Sequence, residues 1–387
     1  MNILYIGAFP PSFLIKRSRG KIDSLYRASE SIISGLSNLS DVNLKVITSP
    51  DIVSWPKGPL FIHKEKSEEE NLTMASSLNI SFLKQIWTIV SMIKIAHSFI
   101  RKNEGQTVVM ISYMVFRHVI TLRLLHFMHP HKVIQACVVP DIFFPKKWLA
   151  CKVNSLTELM ASKFDAFIFY TEKMAEHLDI KREKYIVIEG YRNVLDRKPI
   201  INNNVFKVVY AGSLNINYGI GRLIEAMSLI DDSDVQLHLY GAGSAEEMIK
   251  DISKHDDRVV FHGRVSNAEA TDAIYCASAL INPRNSHDGT YTEYSFPSKD
   301  IEYMSTGIPT LLCKLPGMPA EYYGHFVDMG DASPREIADS IVKVKQMSLQ
   351  ERQALGNDAR NFIVERMDCK KQAIKITELF ERVMKEL

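Results

Sequence analysis

Short runs of β-branched and apolar residues alternate with longer amphipathic stretches over almost the whole chain. In the first half the runs fall at 2–7 (NILYIG), 43–49 (NLKVITS), 108–113 (VVMISY), 131–139 (HKVIQACVV), 166–171 (AFIFYT) and 185–190 (YIVIEG). A strand covered on both faces needs such a near-continuous run, so these predict strands of a parallel sheet. Helical spacing is predicted between them, for example over 23–38, 81–103 and 147–163. The stretch 193–205 (NVLDRKPIINNNV) breaks the alternation with Pro199 and three consecutive Asn, and reads as a linker. A second series follows at 206–211, 235–240, 258–262, 278–283, 309–313 and 325–329, each run ending in a turn and usually a helix. Repeated β–α units predict doubly wound parallel sheets. Two of them in tandem predict α/β domains facing across a cleft, with ligands outside the carboxyl ends of the strands. The charged run 64–70 (KEKSEEE) reads as a solvated loop rather than an interaction tail.

The length of 387 residues suits two domains, and 46% apolar with 24% charged residues is close to the soluble globular average. That composition excludes a disordered, collagen-like or disulfide-framework chain. The net charge of +2 gives no field favouring nucleic acid. The halves differ, however: residues 1–200 carry 27 Lys and Arg against 18 Asp and Glu, and residues 201–387 carry 20 against 27. A basic first half suits anionic lipid or a phosphate-bearing substrate. The five cysteines are odd in number, widely spaced and without C-x-x-C, which predicts a reducing compartment and no zinc site. The first residues read as no secretory leader, since the apolar run 2–7 is too short and the charges follow it, and no uncharged 18-residue stretch predicts a membrane span. The segment 81–102 has two readings: a basic amphipathic helix at a membrane surface, or a core-packed helix with exposed lysines.

The most informative segment is 281–309 (INPRNSHDGTYTEYSFPSKDIEYMSTGIP). A strand ends near Pro283, Pro297 suits a first helical turn, and Gly307 with Pro309 stops the helix. A short helix over roughly 297–305 therefore begins near a strand end, with Asp300 in its first turn. Amides near Ser295, Phe296 and Ser298 suit an anion such as a diphosphate. Glu302, about one turn or ~5 Å deeper, suits the vicinal hydroxyls of a ribose, and Lys299 suits the phosphates. The same spacing also fits an ordinary amphipathic helix with a Lys–Glu surface pair.

The loop 210–222 (YAGSLNINYGIGR) repeats the geometry, with Gly212 and Ser213 at a strand end and Gly219 and Gly221 before a helix. The Gly241/Gly243 pair is a weaker signal, lacking the third glycine of a dinucleotide fingerprint. Gly263 and Arg264 follow another strand, as a place for a base or as a structural turn. In the first half, Gly7 opens a loop trailed by Lys16, Arg17, Arg19 and Lys21, and Asp141 follows the fourth strand as a site acid or a helix cap. No nucleophile elbow, Walker A, H-E-x-x-H or kinase set is present. His118, His126, His129 and His131 fit no zinc spacing and read mostly as surface residues.

The segments VVYAGSLNINYGIGRLIEAM (208–227), LHLYGAG (237–243), VVFHGRV (259–265) and YSFPSKDIEYMSTGIP (294–309) together resemble the nucleotide-sugar domain of GT-B-fold glycosyltransferases, in particular the retaining family numbered four (glycosyl transferases group 1). The resemblance covers 206–368. In the first half VVPDIFFP (138–145), FDAFIFYTEKM (164–174) and YIVIEG (185–190) resemble a bacterial polysaccharide-biosynthesis branch of it. It implies two Rossmann-like domains: 1–194 binding the acceptor, a linker at 195–205, 206–368 binding the nucleotide sugar, and 369–387 crossing back to the first domain. The second glutamate of the family's paired motif falls on Glu302, and the first falls on Tyr294. The Arg and Lys that neutralise the leaving diphosphate in many members fall on Ser213 and Tyr218, so the expectation is that Arg284 and Lys299 supply that charge.

By the resemblance the donor-binding set is Gly212, Ser213, Gly263, Arg264, Tyr294, Ser295, Phe296, Ser298 and Glu302. The catalytic set is Lys299, Arg284 and Asp141, with Gly7 and Arg19 on the acceptor side. No cofactor or metal is expected, the nucleotide sugar being a substrate. The implied activity is glycosyl transfer with retention to a saccharide or lipid-linked saccharide, in polysaccharide or glycoconjugate biosynthesis. The implied place is the cytoplasm, or peripherally the inner face of the cytoplasmic membrane in contact with anionic lipid. Two alternatives stay open: a catalytically degenerate protein of this fold that binds a nucleotide sugar or a partner, and a nucleotide-sugar epimerase.

Overall fold

The computed structural model describes residues 1–7, 24–49, 52–67, 71–81, 83–190, 195–200, 205–289 and 292–386. The chain divides into two compact units, Met1–Tyr191 with Cys369–Leu387, and Arg192–Asp368.

The first unit is built on strands β1 (Asn2–Gly7), β2 (Asn43–Thr48), β3 (Phe61–Ile62), β4 (Glu65–Ser67), β5 (Leu72–Met74), β6 (Ser77–Leu78), β7 (Thr107–Ser112), β8 (Val133–Val139), β9 (Ala166–Phe169) and β10 (Tyr185–Val187). Eight of them form one sheet in the order β10-β9-β8-β7-β1-β2-β5-β4. All its pairs are parallel except β4 with β5. Every residue of β7 and β8 is buried, as two-sided cover requires. Part of the charged run 64–70 is thus an edge strand rather than a loop. Charge on an edge is a common guard against pairing with another chain. The pair β3 and β6 forms a small antiparallel ribbon.

The helices of this unit are α1 (Ser24–Ser37), α2 (Leu83–Lys102), α3 (Phe116–Met128), α4 (Trp148–Ala161) and α5 (Glu172–His177). The crossovers through α2, α3 and α4 all step the same way across the sheet, toward β7, β8 and then β9. Right-handed crossovers place these three on one face, where α2 packs on α3 and α3 on α4. The step through α1 runs the opposite way, so α1 covers the other face.

The second unit has strands β11 (Phe206–Ser213), β12 (Val235–Ala242), β13 (Val259–Gly263), β14 (Ala279–Ile281), β15 (Thr310–Leu312) and β16 (Val327–Asp328). They form one parallel sheet ordered β13-β12-β11-β14-β15-β16. Its helices are α6 (Ile220–Met227), α7 (Glu246–Ile252), α8 (Asn267–Tyr275), α9 (Ser298–Met304), α10 (Pro334–Gln346) and α11 (Leu349–Met367). Three of them open with reciprocal caps, Ser266 with Glu269, Ser333 with Glu336 and Ser348 with Glu351. The core on one side of the sheet joins Val208, Tyr210, Leu223, Leu237 and Ile341, and the other side packs Val209, Leu280 and Tyr303.

The last helix, α12 (Cys369–Glu386), packs on α1, β9 and β10 of the first unit. Its apolar side buries Ala373, Ile376, Leu379, Phe380 and Val383. The approach to α1 is close: a Cβ on Gly35 would overlap the Cys369 carbonyl. Alanine normally stabilises a helix interior by up to ~1 kcal/mol over glycine. Here Gly35→Ala is expected to do the reverse, through overpacking worth ~1–3 kcal/mol. Thermal denaturation should show a Tm about 2–10 °C lower.

Candidate functional site

The strand ends of the second unit carry the predicted loops. β11 runs four residues past its last contact with β14, whose register stops at Val209 with Leu280. The Ala211 peptide therefore has no strand partner on that side. α9 supplies one. The Ala211 N–H donates to the Tyr303 hydroxyl at 2.8 Å, and the Lys299 ammonium donates to the Ala211 carbonyl oxygen. Lys299 also lies 5.0 Å from the Tyr210 ring centre and 5.6 Å from that of Tyr303. Lys299 and Glu302 are thus not an ordinary surface pair: the ammonium is drawn in to the end of β11. Burial lowers the Lys299 pKa, and the nearby Glu302 and Asp300 carboxylates oppose that shift.

This approach explains Gly212, since a Cβ there would overlap the Lys299 ammonium. It also explains Gly241, which sits opposite Gly212 in register with φ of +136°; a side chain there would overlap the Gly212 carbonyl. The Gly241/Gly243 pair thus serves the fit of β12 against the loop after β11. Ser213 is exposed at the strand end, where its carbonyl accepts from the Tyr210 hydroxyl at 2.8 Å.

The loop after β14 is held from three directions. Asn282 donates to the buried Asp300 carboxylate at 2.6 Å. Arg222, on α6, grips Asp288 through both oxygens at 2.9 and 3.0 Å and donates to the Pro283 carbonyl at 3.0 Å. Asn285 donates to the Asp331 carbonyl oxygen. Arg284 then lies between these anchors, donating to the Ser295 hydroxyl at 2.8 Å with its guanidinium 5.7 Å from the Tyr218 ring. The structure therefore brings together Arg284, Tyr218, Ser295 and, along α9, Lys299 and Glu302. Pro297 is the residue before α9 rather than inside it. The Phe296 side chain belongs to the core, its ring 5.0 Å from that of Tyr322, so only its backbone remains for a ligand. Tyr294 and Glu302 are half-buried, and Ser298 is exposed.

Gly263 ends β13 with φ of +66°, and Arg264 after it is exposed. Beside them the Tyr240 and His262 rings stack with centres 4.0 Å apart, and His238 Nδ1 lies 2.9 Å from His262 Nε2. Burial, then the His262 charge, pushes the His238 pKa down to about 4. Sequence reading missed this stack, although alternate residues 238 and 240 on one strand must share a face. It also missed Arg222, Asn282 and Tyr303, whose partners are distant in sequence.

In the first unit, Gly7 ends β1, wedged between the Tyr5 ring and Ser112, while Asp141 is exposed two residues past β8. Both occupy the carboxyl edge of one sheet with β7 between them. Arg19 lies outside the described residues. His118 is not a surface residue: it is fully buried, within 3.1 Å of the Ser49 hydroxyl and 3.2 Å of the Ser112 carbonyl. Burial pushes its pKa down to about 3. Among the described residues no group of three or more His, Cys, Asp and Glu is arranged to hold a metal ion. A cavity of about 650 Å³ lies at the opposite, amino edge of the second unit's sheet, by Ala277, Ser278, Gly307 and α11. It touches none of the predicted site residues.

Residues 205–346 match the family model described as Glycosyl transferases group 1. Two-unit α/β glycosyltransferase structures share the fold. The HepE protein of Anabaena, solved in complex with UDP, is 14% identical over 98% of this chain and 100% of its own, with a TM-score of 0.68. Sucrose-phosphate synthase from Thermosynechococcus elongatus is 14% identical over the whole of both chains, with a TM-score of 0.66. The lipopolysaccharide outer core galactosyltransferase WaaB is 14% identical over 97% and 100%, with a TM-score of 0.62. At such identity the likeness is one of fold. No curated protein matches by sequence.

Asp300 provides a titration test of the site's packing. Burial pushes its pKa up to about 6, against the opposing bond from Asn282 and the charges of Arg284 and Lys299. A carboxyl whose pKa is raised by folding binds its proton more tightly when folded. Its contribution is therefore complete below the unfolded pKa near 4 and is lost as pH rises through about 6. The Tm of wild type minus that of Asp300→Asn is expected to fall by a few degrees between about pH 4.5 and pH 7.

Proposed function

We propose that the protein transfers a glycosyl group from a nucleotide sugar to a saccharide or lipid-linked saccharide acceptor, with retention and without a metal, in polysaccharide or glycoconjugate assembly. The observation that carries this reading is the pairing of Lys299 and Arg284 at the ends of β11 and β14, within the segment matching the glycosyl transferases group 1 model. The diphosphate would lie against the Gly212–Ser213 turn and the amides from Ser295 to Ser298. Lys299 and Arg284 would meet the negative charge that grows on the departing diphosphate, where preorganised charge lowers the barrier most. Tyr218, where many relatives have a cation, lies under the Arg284 guanidinium, so the charge comes from the neighbouring loop. Glu302 would accept the ribose hydroxyls, and Gly263 with Arg264 would border the base.

The acceptor falls to the first unit, with Gly7, Arg19 and Asp141 on its side. Peripheral contact with an anionic membrane belongs to the same reading when the acceptor is lipid-linked. The neighbour that holds UDP makes uridine nucleotides the first donors to try.

The test is a thermal-shift panel of nucleoside diphosphates and their sugars on wild type and Glu302→Ala. A ligand at about 100 times its Kd adds ~2.7 kcal/mol, equal to about 5–10 °C for a domain of this size. One base is expected to give that shift, and the variant to lose most of it. Absence of a shift with every nucleotide overturns the donor site. With the donor known, Lys299→Ala is expected to lower kcat/KM by about 10²-fold or more, and an unchanged kcat/KM removes Lys299 from its role.

A further inference from the structure

Helix α4 is inside out. Its packed side offers Cys151, Asn154, Thr157, Glu158 and Ala161, of which only Thr157 and Ala161 are fully buried. Its solvent side carries Trp148 at 70% exposure and Leu149 at 67%, followed by Val153, Leu156 and Leu159. The polar side is used inward: Asn154 donates to the Phe143 carbonyl at 3.1 Å, and the Cys151 thiol to that of Pro145 at 2.9 Å. These bonds fix the preceding segment, where Phe143 and Phe144 are also exposed.

The neighbouring helices continue the pattern. α2 exposes Leu83, Ile86, Trp87 and Val90 while burying Thr88 and Ser91, and α3 exposes Phe116 and Phe127. α3 and α4 each follow a strand of the sheet and α2 runs back into the start of β7, so the amino ends holding Trp87, Phe116 and Trp148 lie toward the carboxyl edge of the sheet, the edge of Gly7 and Asp141. The charge on these helices is predominantly basic, with Asp141 an exposed acid beside them at the strand edge. Across α2, α3 and α4 the sole acidic residue is Glu158, which accepts from Asn154 on the packed side of α4. Lys94, Lys146, Lys147, Lys152 and Lys163 are exposed. No helix among the described residues is long and apolar enough to cross a membrane.

We propose that the α2–α3–α4 face of the first unit docks on an anionic lipid bilayer, with Phe143, Phe144, Trp148 and Leu149 entering the headgroup boundary and the lysines against the phosphates. Aromatic side chains favour that depth, and lysine stems reach from apolar surroundings to charged headgroups. The lysines argue against a second copy as the occupant. A two-fold contact over this patch would gather Lys146, Lys147 and Lys152 of both copies into one interface, whereas an anionic surface is complementary to them. The proposal deepens the acceptor part of the proposed function and rests on it only for its purpose; the surface itself is read from the helices.

The test is flotation of the full chain, without nucleotide, with vesicles of phosphatidylcholine alone or with about 30 mol% phosphatidylglycerol. Binding to the anionic vesicles alone is expected, with a blue shift in tryptophan emission that is diminished in Trp148→Phe. Each basic residue at such a surface is worth about fivefold in binding, so Lys146→Gln/Lys147→Gln/Lys152→Gln is expected to bind about 100-fold more weakly. Trp148→Ser/Leu149→Ser should also lose binding while keeping the wild-type Tm and donor-induced thermal shift. No flotation, or flotation unchanged in both variants, overturns the proposal. So does a concentration-dependent dimer that Trp148→Ser/Leu149→Ser abolishes, which would make the face an interface between copies. A failed donor panel with lysine-dependent flotation would overturn the transfer reaction and leave the membrane face standing.

Discussion

The second unit is organised around one peptide group, that of Ala211. Where β14 stops short, β11 would present a buried N–H and C=O to nothing, at a cost of about 1–3 kcal/mol for each group left unmade. Tyr303 and Lys299 meet both from a single helix. That requirement sets where α9 lies, which in turn sets where Asp300 is buried and how far Glu302 stands from the strand end. Asn282 reaches Asp300 from the other loop, so the ends of β11 and β14 and the start of α9 form one connected polar structure.

The same economy appears in the glycines. Gly212 leaves room for an ammonium, and Gly241 leaves room for Gly212. Neither position tolerates a Cβ without moving backbone or charge. The Arg222–Asp288 pair then fixes the loop that presents Arg284, with Asp288 nearly buried. A bidentate guanidinium–carboxylate contact defines orientation as well as distance, which suits a loop that must hold a second arginine in place.

The sheets were legible because a strand covered on both faces must be apolar at almost every position, and β1, β7 and β8 are. The pieces between Phe61 and Leu78 were not, since strands of two or three residues show no period. α3 escaped notice for a related reason: with Phe116 and Phe127 outside and His118 inside, its apolar residues mark no single face. At the strand ends, loop glycines and the Ser-Phe-Pro-Ser-Lys run were visible as candidates. Their geometry was not, because Tyr303 and Lys299 find their partner about 90 residues upstream and Arg222 finds Asp288 66 residues downstream. Asp300 shows the limit most clearly. Its place in the first helical turn suggested a charge facing the dipole, and tertiary packing instead made it a buried carboxyl.

The return of α12 to the first unit bears on biosynthesis. The surface of α1 around Gly35 and the flank of β9 and β10 are covered by Cys369–Glu386, which leaves the ribosome only after the whole of the second unit. At about 5–20 residues per second, synthesis of the second unit intervenes for on the order of ten seconds or more. During that interval the surfaces of α1, β9 and β10 that α12 covers in the folded chain are without that cover.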